Sequence, residues 1–175
     1  NGTLSNPVLD TIIPIITEEH IIAIPLLCVW LGLMIFGGKR GRIAGLILLI
    51  GVGLTDYISA QIIKPWVGRI RPSHELGSAV HLLMGKGGKF GFPSNHAANT
   101  FITAAILGHF YHKLKPTLLI IATFVSFSRI YAGVHYPLDV AGGALLGYLF
   151  GQVILSIWFL IQTREIKKER RWIIY

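Results

Sequence analysis

Long apolar runs broken by short polar segments dominate the chain. Near-continuous apolar stretches set spans at 21–37, 43–63, 94–111, 117–134 and 138–161, and a bilayer core roughly 30 Å thick takes about 20 apolar residues of helix. Five spanning helices are predicted. A water-soluble helical protein would show polar faces recurring at helical spacing, and the run from Ile43 to Leu54 has none. Over residues 1–19, Leu9, Ile12, Ile13, Ile15 and Ile16 stand among Asp10, Glu18 and Glu19, a pattern that predicts a short amphipathic helix lying in the membrane interface. The predicted fold is all-α: a polytopic transmembrane helix bundle forming a single membrane-embedded domain over 1–175, with a loop at 64–93 and a basic tail at 162–175.

Composition agrees with that class, since 53% of the 175 residues are hydrophobic and 14% are charged. The net charge of +8 does not point to nucleic acid, because the basic residues are not gathered on one face. Lys39, Arg40 and Arg42, then Lys113 and Lys115, then Arg164, Lys167, Lys168, Arg170 and Arg171 make ten of the sixteen, at alternate ends of the spans. The positive-inside rule puts these clusters in the cytoplasm, so the loop 64–93 and the turn 129–137 face outward. Cys28 is the single cysteine and sits mid-span, where it can form neither an intrachain disulfide nor a metal site. The first residues show no basic n-region or small-residue cleavage site, so no signal peptide is expected there. The sequon Asn1-Gly2-Thr3 is read as chance.

Six basic residues fall on the outward side against the orientation rule: Lys64, Arg69, Arg71, Lys86, Lys89 and Arg129. Taken singly each could be a side chain snorkelling to the headgroups. Arg129 resists that reading, because it interrupts the apolar run from Leu118 to Val134, and an arginine deep in a span costs about 2.5–3.5 kcal/mol on insertion scales. His96 at the start of the third span and His135 ahead of the fifth deliver imidazoles to the same face. Cations without matching carboxylates call for an anion, and phosphate suits the fork of guanidinium groups. In Pro93-Ser94-Asn95-His96 a good N-cap residue precedes an apolar helix, so free N–H groups and the positive dipole end would face that anion. Pro137 suits a first helical position and leaves Asp139 in the first turn. His135 and Asp139 are four apart, so the carboxylate can hold one ring nitrogen and leave the other to attack.

Lys64 with Arg71-Pro72, then Pro93-Ser94-Asn95-His96, then Ser128-Arg129 followed by His135 and Asp139 resembles the three-part signature of the type 2 phosphatidic acid phosphatase superfamily. Small size and short loops liken the chain, within that family, to bacterial envelope enzymes acting on lipid A 1-phosphate, phosphatidylglycerophosphate or undecaprenyl pyrophosphate. The resemblance implies that His135 attacks phosphorus and forms a phosphohistidine, oriented by Asp139, while His96 protonates the departing oxygen and later activates water. Lys64, Arg71, Ser94, Asn95 and Arg129 would hold the phosphoryl oxygens. It also implies a metal-independent hydrolase without cofactor, partnered by membrane and a lipid phosphate rather than nucleic acid. The enzyme would sit in a bacterial inner membrane with its site on the periplasmic side, and lipid A 1-phosphate is the first substrate expected. Asn95 stands where the family has glycine, and a tolerated left-handed turn is the expectation there. Members commonly have six spans against five here, the difference falling at the N-terminus.

Three rivals bear on these residues. Vanadium-dependent haloperoxidases share the constellation but are soluble. A lipid-binding or flipping protein would use the cations and have little need of a histidine and carboxylate pair. A transporter would need repeated, interrupted helices, which the chain does not show. Asp56 in the second span is expected either to back a basic residue of the site or to bond helix to helix with Thr55 and Ser59 nearby. Gly85-Lys86-Gly87-Gly88-Lys89 is read as a mobile lip over the site, lacking the glycine spacing of a nucleotide loop. His74, His81, His109 and His112 are read as loop or interface residues, and Trp66, Phe90, Phe92 and Tyr136 as interfacial aromatics.

Overall fold

The computed structural model describes residues 5–170, apart from the side chains of residue 16 and residues 19–22. The ends of the predicted interfacial segment and of the basic tail, residues 1–4 and 171–175, lie outside the described residues. The elements in chain order are α1 (Pro7–Thr17), α2 (Glu19–Phe36), α3 (Gly38–Tyr57), α4 (Lys64–Val67), α5 (Pro72–Glu75), α6 (Asn95–Phe110), α7 (Lys115–Tyr131) and α8 (Pro137–Lys167). A π turn over Ile58–Ile63 joins α3 to α4, so the helix runs unbroken from Gly38 to Val67.

Local chemistry accounts for most boundaries. Asn6 caps α1 by accepting from the Val8 amide at 2.9 Å. Gly37 ends α2, and Gly38, at φ +58°, turns the chain directly into α3. Prolines occupy the first turns of α7 and α8, where the missing N–H costs nothing.

Gly38–Val67, His112–Tyr131 and Pro137–Lys167 are each long and apolar enough to cross a bilayer. The other two predicted spans coincide with helices to within two residues at each end, α2 running from Glu19 to Phe36 and α6 from Asn95 to Phe110, 16 residues or about 24 Å of helix. Their surroundings differ. α2 exposes Ile24, Leu27, Val29 and Ile35, an outer surface suited to lipid, whereas α6 is enclosed by its neighbours at Ala97, Ala98, Ile102, Ala105, Ile106 and Phe110.

α6 is the centre of the bundle, packed by α3, α7 and α8. Its closest neighbour is α8, which presents Gly143, Gly147 and Gly151 in one stripe at four-residue spacing. A Cβ on Gly143 would strike the Ser94 carbonyl, and one on Gly147 the Ala98 carbonyl. One on Gly151 would come within 2.7 Å of the Ala105 methyl. In lipid, where tails are as apolar as leucine, such close backbone approach is a main source of helix association. Below the stripe Ile102, Ile106, Phe110, Leu155 and Trp158 fill the core with Ala44 of α3. The result holds the start of α6 against the start of α8 at one end of the bundle.

Candidate active site

Lys64 begins α4 and turns its ammonium to the loop, donating to the Pro93 carbonyl at 2.7 Å and reaching those of Gly91 at 3.4 Å and Phe90 at 3.5 Å. The loop is pinned to itself: the Arg71 amide donates to the Lys89 carbonyl at 3.1 Å and the Gly91 amide to the Arg69 carbonyl at 2.7 Å. Arg71 Nε donates to the Phe90 carbonyl at 3.1 Å. Gly87, at φ +65°, lies so close to the Arg71 guanidinium that a Cβ would strike it. The expected mobile lip is therefore tied down: Ser73 Oγ donates to the Lys86 carbonyl at 3.0 Å, and His74 Nε2 stands 3.1 Å from the Gly87 carbonyl. His74 holds the loop rather than idling in it.

Ser94 is the N-cap of α6, but its hydroxyl makes no capping bond; Ser94 Oγ is buried with no hydrogen-bond partner among the described residues. Its own amide donates to the Asp139 carbonyl at 2.9 Å, which ties the α6 start to α8. The left-handed turn expected at Asn95 is not formed, because Asn95 is already the first helical residue and needs no positive φ. Its side chain turns sideways instead. Asn95 Nδ2 and Asn99 Nδ2 both donate to Asp56 Oδ1, at 2.8 and 3.0 Å. Of the two readings of Asp56, helix-to-helix bonding is the one formed, to the asparagines of α6. Thr55 Oγ1 and Ser59 Oγ are buried without a hydrogen-bond partner among the described residues.

His135 and Asp139 are both buried, at 3% and 0% exposure, with Nδ1 and Oδ2 3.4 Å apart. The same Oδ2 accepts from the Tyr136 amide at 2.9 Å, which caps α8. Arg69 forms an ion pair with Oδ1 at 3.4 Å, its guanidinium 4.7 Å over the Tyr136 ring. Sequence reading gave Arg69 and Tyr136 no role here, since neither contact has a local spacing signal. Burial pushes the His135 imidazole down to about 4, only partly opposed by its hydrogen bond to Asp139. The ring is neutral at physiological pH, and the carboxylate on Nδ1 fixes the proton there, leaving the Nε2 lone pair to react.

Arg129, 3% exposed, completes the arrangement from the last turn of α7. One of its Nη atoms donates to the Thr17 carbonyl, and Nε reaches Ser128 Oγ at 3.4 Å.

Lys64, Arg71, Asn95, His96, Arg129 and His135 all line one cavity of about 760 Å³. Ser94 and Asp139 stand behind that lining. Asp56 and Asn99 share the lining with Glu18, while Ala23, Leu26, Ile121 and Val125 give it an apolar wall between α2 and α7. Lys86 and Lys89 are outside the lining. Among the described residues no three His, Cys, Asp or Glu side chains converge as a metal-binding group.

Both the sequence and the fold that hold this cavity have counterparts among known proteins. The chain is 37% identical over 123 residues to the lipid A 4'-phosphatase of Bacteroides thetaiotaomicron, covering 67% of this chain and 55% of that protein. It is 31% identical over 137 residues to phosphatidylglycerophosphatase B of Bacillus subtilis, covering 72% and 60%. It thus spans little more than half the length of these relatives. The fold is similar to the transmembrane PAP2 type phosphatidylglycerolphosphate phosphatase of Bacillus subtilis, with TM-score 0.69 and 25% identity over 91% of this chain and 81% of that one. It is similar also to LpxE of Aquifex aeolicus, with TM-score 0.64 and 28% identity over 88% and 89%. The PAP2 superfamily profile matches residues 44–162, from α3 through most of α8 and so across every cationic and imidazole group of the cavity. The chain belongs to the PAP2 superfamily.

Proposed function

We propose that this chain is a lipid phosphatase that releases phosphate from a phosphorylated membrane lipid through a phosphohistidine intermediate on His135. The observation that carries the reading is a buried His135, held by Asp139, facing one cavity with His96, Lys64, Arg71 and Arg129. Nε2 of His135 attacks phosphorus as the P–O bond to the lipid breaks, and His96 gives its proton to the departing alkoxide. In the second half His96 takes a proton from water, the water oxygen attacks phosphorus, and the P–N bond breaks to return His135 and free phosphate. A loose phosphoryl transition state spreads charge over the three non-bridging oxygens. Lys64, Arg71, Arg129, the Ser94 hydroxyl and the first amides of α6 supply the compensating donors. Asp139 keeps the His135 proton on Nδ1 and stabilises the positive charge that the imidazole acquires on attack.

The apolar wall of Ala23, Leu26, Ile121 and Val125 suits an acyl or prenyl chain running from the cavity into the bilayer. The site sits on the side away from the three basic clusters, which supports the reading of a site on the periplasmic face of a bacterial inner membrane. A lipid A phosphate is the first candidate substrate, supported by the relative named a lipid A 4'-phosphatase, and the 1-phosphate is the first position to test. Phosphatidylglycerophosphate and undecaprenyl diphosphate follow, from relatives named for them.

Phosphate release by the detergent-solubilised chain, with chelator present, from lipid A, phosphatidylglycerophosphate, phosphatidate and undecaprenyl diphosphate tests the proposal. Release from at least one lipid, lost in His135→Ala, is expected. Lipid binding without release by folded wild-type protein would replace the enzyme with a lipid-binding protein.

A further inference from the structure

We infer that α1 is a positioning strap for Arg129, an inference that rests on the reading of the cavity as a phosphate site. Thr17 is the last residue of α1, where backbone carbonyls lack intrahelical partners and the helix dipole is negative. The Arg129 guanidinium donates to that carbonyl. A cation at the open end of an 11-residue helix is favoured by charge and hydrogen bonding together, and the contact sets the direction from which the buried fork meets the cavity.

α1 is latched at its other end by residues that do not line the cavity. Tyr131, half a turn beyond Arg129, donates its hydroxyl to Asp10 Oδ1 at 2.6 Å and accepts from the Asn6 amide at 3.0 Å. His81 Nε2 stands 3.1 Å from Asp10 Oδ2. Between latch and carbonyl, Ile13 is 1% exposed in a cluster with Tyr131, Ala132 and Val134, against which Leu82, Leu83 and Met84 pack. Thr17 Oγ1 faces Met84 Sδ at 3.7 Å. The strap thus joins α7 to the loop that carries Gly85, Gly87 and Gly88 into the cavity, and its next residue, Glu18, lines the cavity itself. All of α1 lies ahead of the residues that the family profile matches, whereas Arg129 lies within them. Asp10 and Tyr131 are positioning residues that act through Arg129.

The test uses the full chain in detergent with Tyr131→Phe, which keeps the ring, and Asp10→Asn as a second variant, each made also in an Arg129→Lys background. Phosphate release is measured on whichever lipid of the panel is turned over, and the thermal shift given by orthovanadate is read in parallel. In the otherwise native chain each latch variant should lower kcat about tenfold with KM little changed, as expected of a displaced transition-state contact. In the Arg129→Lys background the same substitutions should change kcat less than about twofold, because the group they position is already altered. Equal factors in both backgrounds, or unchanged kcat in both latch variants, would overturn the strap. If no lipid is turned over, the proposed activity fails separately and vanadate decides. A smaller vanadate shift in Tyr131→Phe than in wild type upholds the strap; an equal shift, or none in wild type, rejects it.

Discussion

Between α6 and α8 the contacts are made by glycine, alanine and large apolar side chains, whereas the cap over the helix ends, residues 64–94 with α1 and the last turn of α7, is held by hydrogen bonds to backbone carbonyls. Gly143, Gly147 and Gly151 let two backbones touch and leave no room for change. In the cap Lys64, Arg71, His74 and Arg129 each reach a main-chain oxygen. The seam fixes how far apart the helix ends stand; the cap fixes which way the cations at those ends point. Stability is therefore concentrated in the seam and catalytic geometry in the cap, and substitutions should separate the two.

The largest effect is expected in the seam. Gly147→Val sets a branched side chain against the Ala98 carbonyl and should cost more than about 3 kcal/mol, read as loss of folded protein by thermal melting in detergent. Near-native melting of that variant would show that the helices can separate and that the seam is not what holds the site.

Asp139→Asn should lower kcat between about 10²- and 10⁴-fold while the protein still folds. The same pair sets a pH dependence. His135 attacks only when neutral, and burial holds it near 4, so the acid limb of kcat/KM should fall well below the ordinary imidazole value of 6.5. The Asp139 hydrogen bond raises that value, so Asp139→Asn should move the limb lower still. An acid limb at 6.5, unmoved by the substitution, would assign it to another group.

Smaller effects are expected where the cap meets phosphate. Ser94→Ala should lower kcat about 10²-fold. Its melting temperature should hardly change, because the hydroxyl makes no capping bond to lose. A fall in melting temperature without loss of kcat would return Ser94 to an ordinary cap. Gly87→Ala places a methyl against the Arg71 guanidinium at a left-handed φ, a cost of about 1–2 kcal/mol, which corresponds to about 5- to 30-fold in vanadate affinity if all of it falls on binding. Unchanged vanadate inhibition would mean that Arg71 is not held by this loop.

The same division explains what could be read from the chain. Helical positions, their apolar character and the alternation of basic clusters are local signals, and the structure follows them to within a few residues at most ends. Asp139 in the first turn of α8 followed from Pro137, and helix spacing brought it to His135. Pairings distant in sequence were not legible. Arg69 with Asp139, Asn95 and Asn99 with Asp56, and Thr17 with Arg129 join residues 39 to 112 positions apart. No periodicity encodes them. The amphipathic pattern announced α1, but its apolar residues divide, with Ile13 turned to α7 while Val8, Ile12 and Ile15 remain exposed. At Asn95 the glycine of the family's pattern suggests a left-handed turn that the backbone does not make. Here that position opens a regular helix whose side chain bonds to α3.

The most direct test of the central claim is to quench turnover of the first lipid accepted and map covalent phosphate on the protein. The account predicts an acid-labile, alkali-stable phosphoryl group on His135, absent from His135→Ala, in which phosphate release falls by about 10⁴-fold or more. Phosphate release that persists in His135→Ala, or label found on another residue, would contradict it.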